Sequence, residues 1–96
     1  MEISEFQALI ERIYGERDRR RGVGGTFMWF TEEVGELANA LRSGRHEDLA
    51  EEFADVFAWM STLASIAEVD LERAIDKYRS GCPYCARIPC ECPEKP

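Results

Sequence analysis

Two short acidic stretches carry the chemistry of this 96-residue chain. Glu33 and Glu36 lie in Phe30-Thr31-Glu32-Glu33-Val34-Gly35-Glu36-Leu37. Glu52 and Asp55 lie in Glu51-Glu52-Phe53-Ala54-Asp55-Val56. A spacing of three puts two carboxylates on one face of a helix, about one turn apart. Two such faces brought together make a cluster of four carboxylates, which repel one another unless a cation sits between them. An all-oxygen set on helices suits Mg²⁺ or Mn²⁺ better than zinc, which favours nitrogen and sulfur. Such an ion grips polyphosphates, because substrate oxygens fill its remaining positions, and it acidifies bound water. The chemistry pointed to is phosphoanhydride hydrolysis.

The elements that position these acids follow from hydrophobic periodicity. Ser4 with Gln7 reads as a capping box, and Ile3, Phe6, Leu9, Ile10, Ile13 and Tyr14 recur at helical spacing over about 4–20. Gly22, Gly24 and Gly25 then read as a loop. Thr26 reads as the cap of a second helix ending near Ser43, with Gly44 as its stop. At roughly 100° per residue, Phe30, Val34, Leu37 and Leu41 share one stripe, with Trp29, Glu33, Glu36 and Ala40 along its edge. Glu32 points away from the apolar side, so Glu33 is in register with Glu36 and Glu32 is not. A third helix runs from His46 or Glu47 to about Ala67. Its stripe is Phe53, Val56, Phe57, Met60, Leu63 and Ala64, bordered by Glu52, Asp55 and Trp59. Asp70 caps a short fourth helix from Leu71 to about Ser80, stopped by Gly81.

Composition bounds the rest. Hydrophobic residues make up 45% and charged residues 32%, as in a soluble helical protein. The formal net charge of −7 argues against a partner made of nucleic acid polymer. No apolar run has transmembrane length, and Met-Glu-Ile-Ser-Glu lacks the apolar segment of a leader, so no membrane partner and a cytoplasmic location are expected. A chain this short has a thin core, and its last fifteen or so residues add little to it, which favours oligomerisation. A di-iron bundle needs Glu-x-x-His pairs. Residue 43, three before the single histidine His46, is Ser, so that alternative is excluded.

The two acidic stretches with their Gly-Glu-Leu and apolar flanks resemble the MazG-like nucleoside triphosphate pyrophosphohydrolases. That group belongs to the all-α NTP pyrophosphatase superfamily, with the dimeric dUTPases and the dCTP pyrophosphatases, and the resemblance covers roughly residues 3–79. It implies an all-α, four-helix bundle-type protomer completed by a second subunit, as a homodimer or dimer of dimers. It also implies Mg²⁺-dependent cleavage of a nucleoside triphosphate between the α and β phosphates, giving a monophosphate and pyrophosphate. The metal ligands carry over onto Glu33, Glu36, Glu52 and Asp55. Glu32 is either a surface acid or, as in some relatives, a catalytic one that reaches another metal or the attacking water. Trp29, one turn before Glu33, either stacks on a base or packs in the core; for Trp59, beyond Asp55, the core is favoured. Lys77 and Arg79 lie where the family places basic residues toward phosphates, although Asp76 stands where members often have Asn. The competing reading is a non-catalytic, metal-stabilised helical dimer that binds a nucleotide or a protein partner.

Cys82, Cys85, Cys90 and Cys92 fall outside that resemblance. Four thiols within eleven residues, past a helix stop, read as a tetrathiolate Zn²⁺ site with a structural role. Iron in a rubredoxin-like site is the other metal candidate, and unligated cysteines are the plain alternative. The chain thus divides into a catalytic domain, 1–80, and a zinc-binding tail, 81–96.

Overall fold

The structure, a computed structural model, describes residues 1–95; Pro96, the last residue of the expected tail, lies outside them. The described residues form helix α1 (Ile3–Ser43), helix α2 (His46–Ile66), a one-turn helix α3 (Leu71–Ala74) and a 3₁₀ turn (Ile75–Tyr78), with no strand. The all-α expectation holds, with one change: no glycine loop separates the first two expected helices, which are the two arms of α1 and meet at a kink at the non-helical Gly22.

That bend is the first correction. Gly22 adopts φ 87° and ψ 168°, whereas Gly24 and Gly25 stay helical. The helix is broken and kinked at this one residue, whose φ/ψ lie in a region that glycine alone populates readily. Thr26 is therefore no cap: it lies inside α1, fully buried. Nothing stands within 4 Å of where a Gly22 Cβ would project, so Gly22→Ala meets no steric clash and only backbone strain. That substitution is expected to lower unfolding free energy by about 1–3 kcal/mol in a denaturant melt. An unchanged midpoint would mean that the bend has an unstrained alternative.

The start of α1 is the second correction. Glu2 is the cap residue, and its backbone N–H donates to the Glu5 carboxylate at 3.2 Å. Ser4 and Gln7 are instead used in tertiary contacts. Ser4 N–H donates to Glu72 at 3.0 Å. The Gln7 amide donates to the Val69 carbonyl at 2.8 Å and to Ser65 Oγ at 3.2 Å, and accepts from Leu71 N–H at 3.0 Å. One amide thus ties the end of α2 to the start of α3, satisfying backbone groups that the connecting turn leaves open.

Gly44 closes α1 in the left-handed region, φ 72°, and α2 starts and ends within a residue of expectation. Asp70 caps α3 by accepting from Arg73 N–H at 3.2 Å. The α geometry lasts only to Ala74 and then tightens to 3₁₀. None of these residues is buried, so no packed face holds a longer helix.

Both arms of α1 pack on α2. Phe6 meets Phe57 edge-on at 5.1 Å between ring centroids, Asp18 accepts from Thr62 at 3.0 Å, and Trp29 stacks on Trp59 at 6.4 Å. The buried apolar core is small: Ile10, Ala40 and Ala64. Much of both expected stripes stays open, with Val34, Leu41, Phe53, Phe57 and Met60 all exposed. The chain exposes 7533 Å², where a folded monomer of 11.0 kDa exposes roughly 5,600 Å². No helix of the described residues is long and apolar enough to cross a membrane.

Candidate metal centres and the cavity beside them

The register argument places Glu33 and Glu36 on one face of α1, opposite Glu52 on α2. One carboxylate oxygen of each lies within 4.8 Å of the other two. Asp55, one turn beyond Glu52, falls outside this triad, yet its charge still acts on both Glu33 and Glu52. Glu32 is exposed, in a shallow recess with Gly25, Met28, Trp29 and Thr31, and takes no part in the triad.

The triad is electrostatically incomplete. Desolvation first, then the charges of Glu36 and Asp55, push the Glu33 carboxyl from 4.5 up to about 7. Desolvation, Glu36 and Asp55 also raise that of Glu52. Among the described residues, no ion pair reaches Glu33, Glu36, Glu52 or Asp55. Glu33 Oε2 and Glu52 Oε2 are buried with no hydrogen-bond partner. Orphaned acceptors in a cation-free, all-oxygen cluster fit a hard divalent ion, which is the partner that such groups lack.

Two cavities flank the acids. One, of about 430 Å³, is lined by Glu36 and Glu52 together with Asn39, Arg42, Arg45 and Asp48. The other, of about 220 Å³, is lined by Asp55, Trp59, Thr62, Tyr14, Arg17, Asp18 and Arg21. In the second, the Arg21 guanidinium lies 5.1 Å from the Trp59 ring centroid and donates to Asp18 at 2.9 Å. Asp18 is only 3% exposed, and its other oxygen accepts from Thr62. Trp29 is 48% exposed and stacked on Trp59 at an interplanar angle of 17°, so it is an open aromatic surface rather than a core residue.

Sequence reasoning passed over Asp18, Arg21, Tyr14 and Thr62. A signal was present: Ile10, Tyr14 and Asp18 follow at steps of four, so the acid interrupting the basic run of 17–21 shares the face of a buried isoleucine. Lys77 and Arg79 lie on the 3₁₀ turn and have local first partners. Lys77 Nζ is 5.2 Å from the Tyr78 ring, and Arg79 pairs with Asp76 at 2.6 Å. Asp76, the departure from the family pattern, is what holds Arg79.

In the tail, all four sulfurs converge, again within 4.8 Å of one another, and none is in a disulfide. Backbone N–H groups of Glu91 and Arg87 lower the Cys85 thiol to about 6, while the neighbouring Cys90, Cys85 and Cys82 sulfurs push that of Cys92 up to about 12.

No curated protein matches this chain. The family model for the MazG nucleotide pyrophosphohydrolase domain matches residues 24–86, from just past the Gly22 bend to just past Cys85, and so includes both acidic stretches. With two thirds of its length matched and three acids of the expected pattern gathered across α1 and α2, the chain belongs to the MazG nucleotide pyrophosphohydrolase domain family.

Proposed function

We propose that this protein hydrolyses nucleoside triphosphates between the α and β phosphates, releasing a nucleoside monophosphate and pyrophosphate in a Mg²⁺-dependent reaction. One observation carries the reading: three carboxylates converge in a chain of this family, and two of them have buried oxygens without a partner. Glu33, Glu36 and Glu52 would hold Mg²⁺, with Asp55 completing the set from the side of the smaller cavity. When bound, the ion supplies neutralisation of phosphate charge and acidification of water.

The chain's own residues account for orientation. Arg42 and Arg45 line the cavity on the Glu36–Glu52 side and offer guanidinium groups to phosphate oxygens. The cavity on the Asp55 side offers an indole wall, a buried carboxylate at Asp18 and the Arg21 donors, a combination suited to a planar, polar base. The triphosphate would then cross the acids, with its base toward Trp59 and Trp29 and its distal phosphates toward Arg45. Lys77 and Arg79 would reach phosphate only by leaving Tyr78 and Asp76. Nothing in the geometry gives Glu32 a partner in this reaction.

We also propose a homodimer, itself able to pair into a dimer of dimers. The support is an excess exposed area of about 1,900 Å² over a typical monomer, with five large apolar side chains of the two stripes left open. A cytoplasmic location fits the four unpaired thiols. Clearance of unwanted nucleotides from the pool is the cellular role such an activity would serve.

The test is ion-exchange analysis of products from a panel of canonical and modified NTPs and dNTPs, with Mg²⁺ and with EDTA. Monophosphate plus pyrophosphate, lost with EDTA, is expected. Diphosphate plus phosphate would overturn the cleavage position. No turnover across the panel would favour a nucleotide- or protein-binding dimer.

A further inference from the structure

The tail folds without a core of its own. Tyr84 is 85% exposed and Ile88 82%, so its two large apolar side chains hold nothing in place. Its backbone is nonetheless closely specified. Gly81 turns the chain at φ 116°, Cys82 N–H donates to the Arg87 carbonyl at 3.1 Å, and Ala86 N–H donates to the Cys82 carbonyl at 2.7 Å. A second set of N–H groups points at sulfur: Tyr84 to Cys82 at 3.4 Å, Glu91 to Cys85 at 3.4 Å and Cys92 to Cys90 at 3.3 Å. Donors aimed at sulfur stabilise thiolate, the form that ligates metals.

The sulfur spacing identifies the arrangement. Cys82 and Cys92 are 3.7 Å apart, and Cys85 and Cys90 are 3.9 Å apart. A disulfide needs sulfurs at about 2.05 Å, so neither pair is bonded. Four sulfurs each about 2.3 Å from a central ion would form a tetrahedron with edges of about 3.8 Å. Both observed separations match that edge.

We propose that Cys82, Cys85, Cys90 and Cys92 hold one Zn²⁺ in a closed tetrathiolate site, and that this ion, in place of an apolar core, folds residues 81–93. Zinc fits better than iron because Cys90 is exposed and neither Tyr84 nor Ile88 shields the sulfurs, whereas a redox iron site relies on an apolar shell. With all four positions filled by protein, the site has none open for substrate and serves structure. The chain thereby sorts two metals by ligand softness: a hard ion for the oxygen triad and a borderline-soft one for the tail. Cys82 and Cys85 lie inside the matched family segment and Cys90 and Cys92 beyond it, so the centre straddles its end.

Metal content of the full, untagged chain, measured by plasma mass spectrometry without nucleotide, tests this independently of hydrolysis. One zinc per chain is expected, surviving dialysis against Mg²⁺ and released by an organomercurial thiol reagent. The Cys90→Ser/Cys92→Ser variant should lose that zinc while keeping the far-ultraviolet helical signal of α1 and α2. Cobalt loaded in place of zinc should give the intense visible bands of tetrahedral tetrathiolate coordination. Four freely reactive thiols with no metal, a mass lower by four hydrogens, iron in place of zinc, or zinc retained by the double variant would each overturn the proposal.

Discussion

Glu52→Gln is expected to cut kcat/KM by about 10³-fold or more while making the metal-free protein more stable. The two effects share one cause. Glu33, Glu36 and Glu52 are held together with no protein cation to separate them, and burial first, then repulsion from the neighbouring acids, pushes the Glu33 and Glu52 carboxyls upward. Replacing one carboxylate by an amide removes a metal ligand but also removes repulsion in the fold. The pH dependence carries the same signature. In the unfolded chain Glu33 loses its proton near 4.5, and in the fold near 7, so between these values the folded state binds more protons. Stability therefore falls as pH rises through that window and is lowest above it, by on the order of 1–2 kcal/mol after solvent screening. Metal-free wild type should melt at a higher temperature at pH 5 than at pH 8. Saturating Mg²⁺ should flatten that slope, because the cation replaces the proton, whereas in Glu52→Gln the slope should be reduced but still present, because desolvation, Glu36 and Asp55 still raise Glu33. A variant that melts lower than wild type without metal would mean that Glu52 stabilises the fold directly, against the idea of a strained triad.

The acid register was legible because it rests only on helical geometry. Glu33 and Glu36 had to share a face, Glu32 could not, and the structure puts them so. What sequence alone could not supply was the angle between α1 and α2, which brings Glu52 within reach of both and leaves Asp55 outside the triad. The glycine cluster misled for a local reason. Three glycines suggest a loop, yet one residue at positive φ was enough to turn the chain, and helix propagation absorbed the other two. Gln7 was assigned a cap because its spacing from Ser4 matched. Its tertiary partners at Ser65, Val69 and Leu71 lie some sixty residues away, and no local rule sees them. Asp18 was hidden among arginines, whose charge run suggests a solvated face. Its burial follows from the face that it shares with Ile10. The cysteine cluster was legible because four thiols within eleven residues are close enough in sequence for local turns to gather them, with no need of the angle between α1 and α2.

Phe53→Glu is expected to turn a dimer into an 11.0 kDa monomer in sedimentation velocity at micromolar concentration, with a Kd at least 10³-fold weaker. Phe53, Phe57 and Met60 follow at steps of four and three along α2 and are all exposed, although their spacing marks them as core. In a single chain the glutamate meets water, because Phe53 is already 54% exposed, so the protomer fold should tolerate it. In a two-fold interface the charge enters twice and must be desolvated each time, at a cost of several kcal/mol. Phe53→Leu, which keeps the stripe apolar, should remain dimeric. Glu52 immediately precedes Phe53, so the face proposed for a partner adjoins the acid triad. Exclusion of water by the partner strengthens the field in which the carboxylates hold a cation. Loss of the dimer should therefore weaken Mg²⁺ binding, and activity of Phe53→Glu should fall in step with the monomer fraction. A wild-type chain that sediments as a monomer throughout the micromolar range would mean that the exposed stripe is not a subunit contact. Full activity in monomeric Phe53→Glu would separate the stripe from the site.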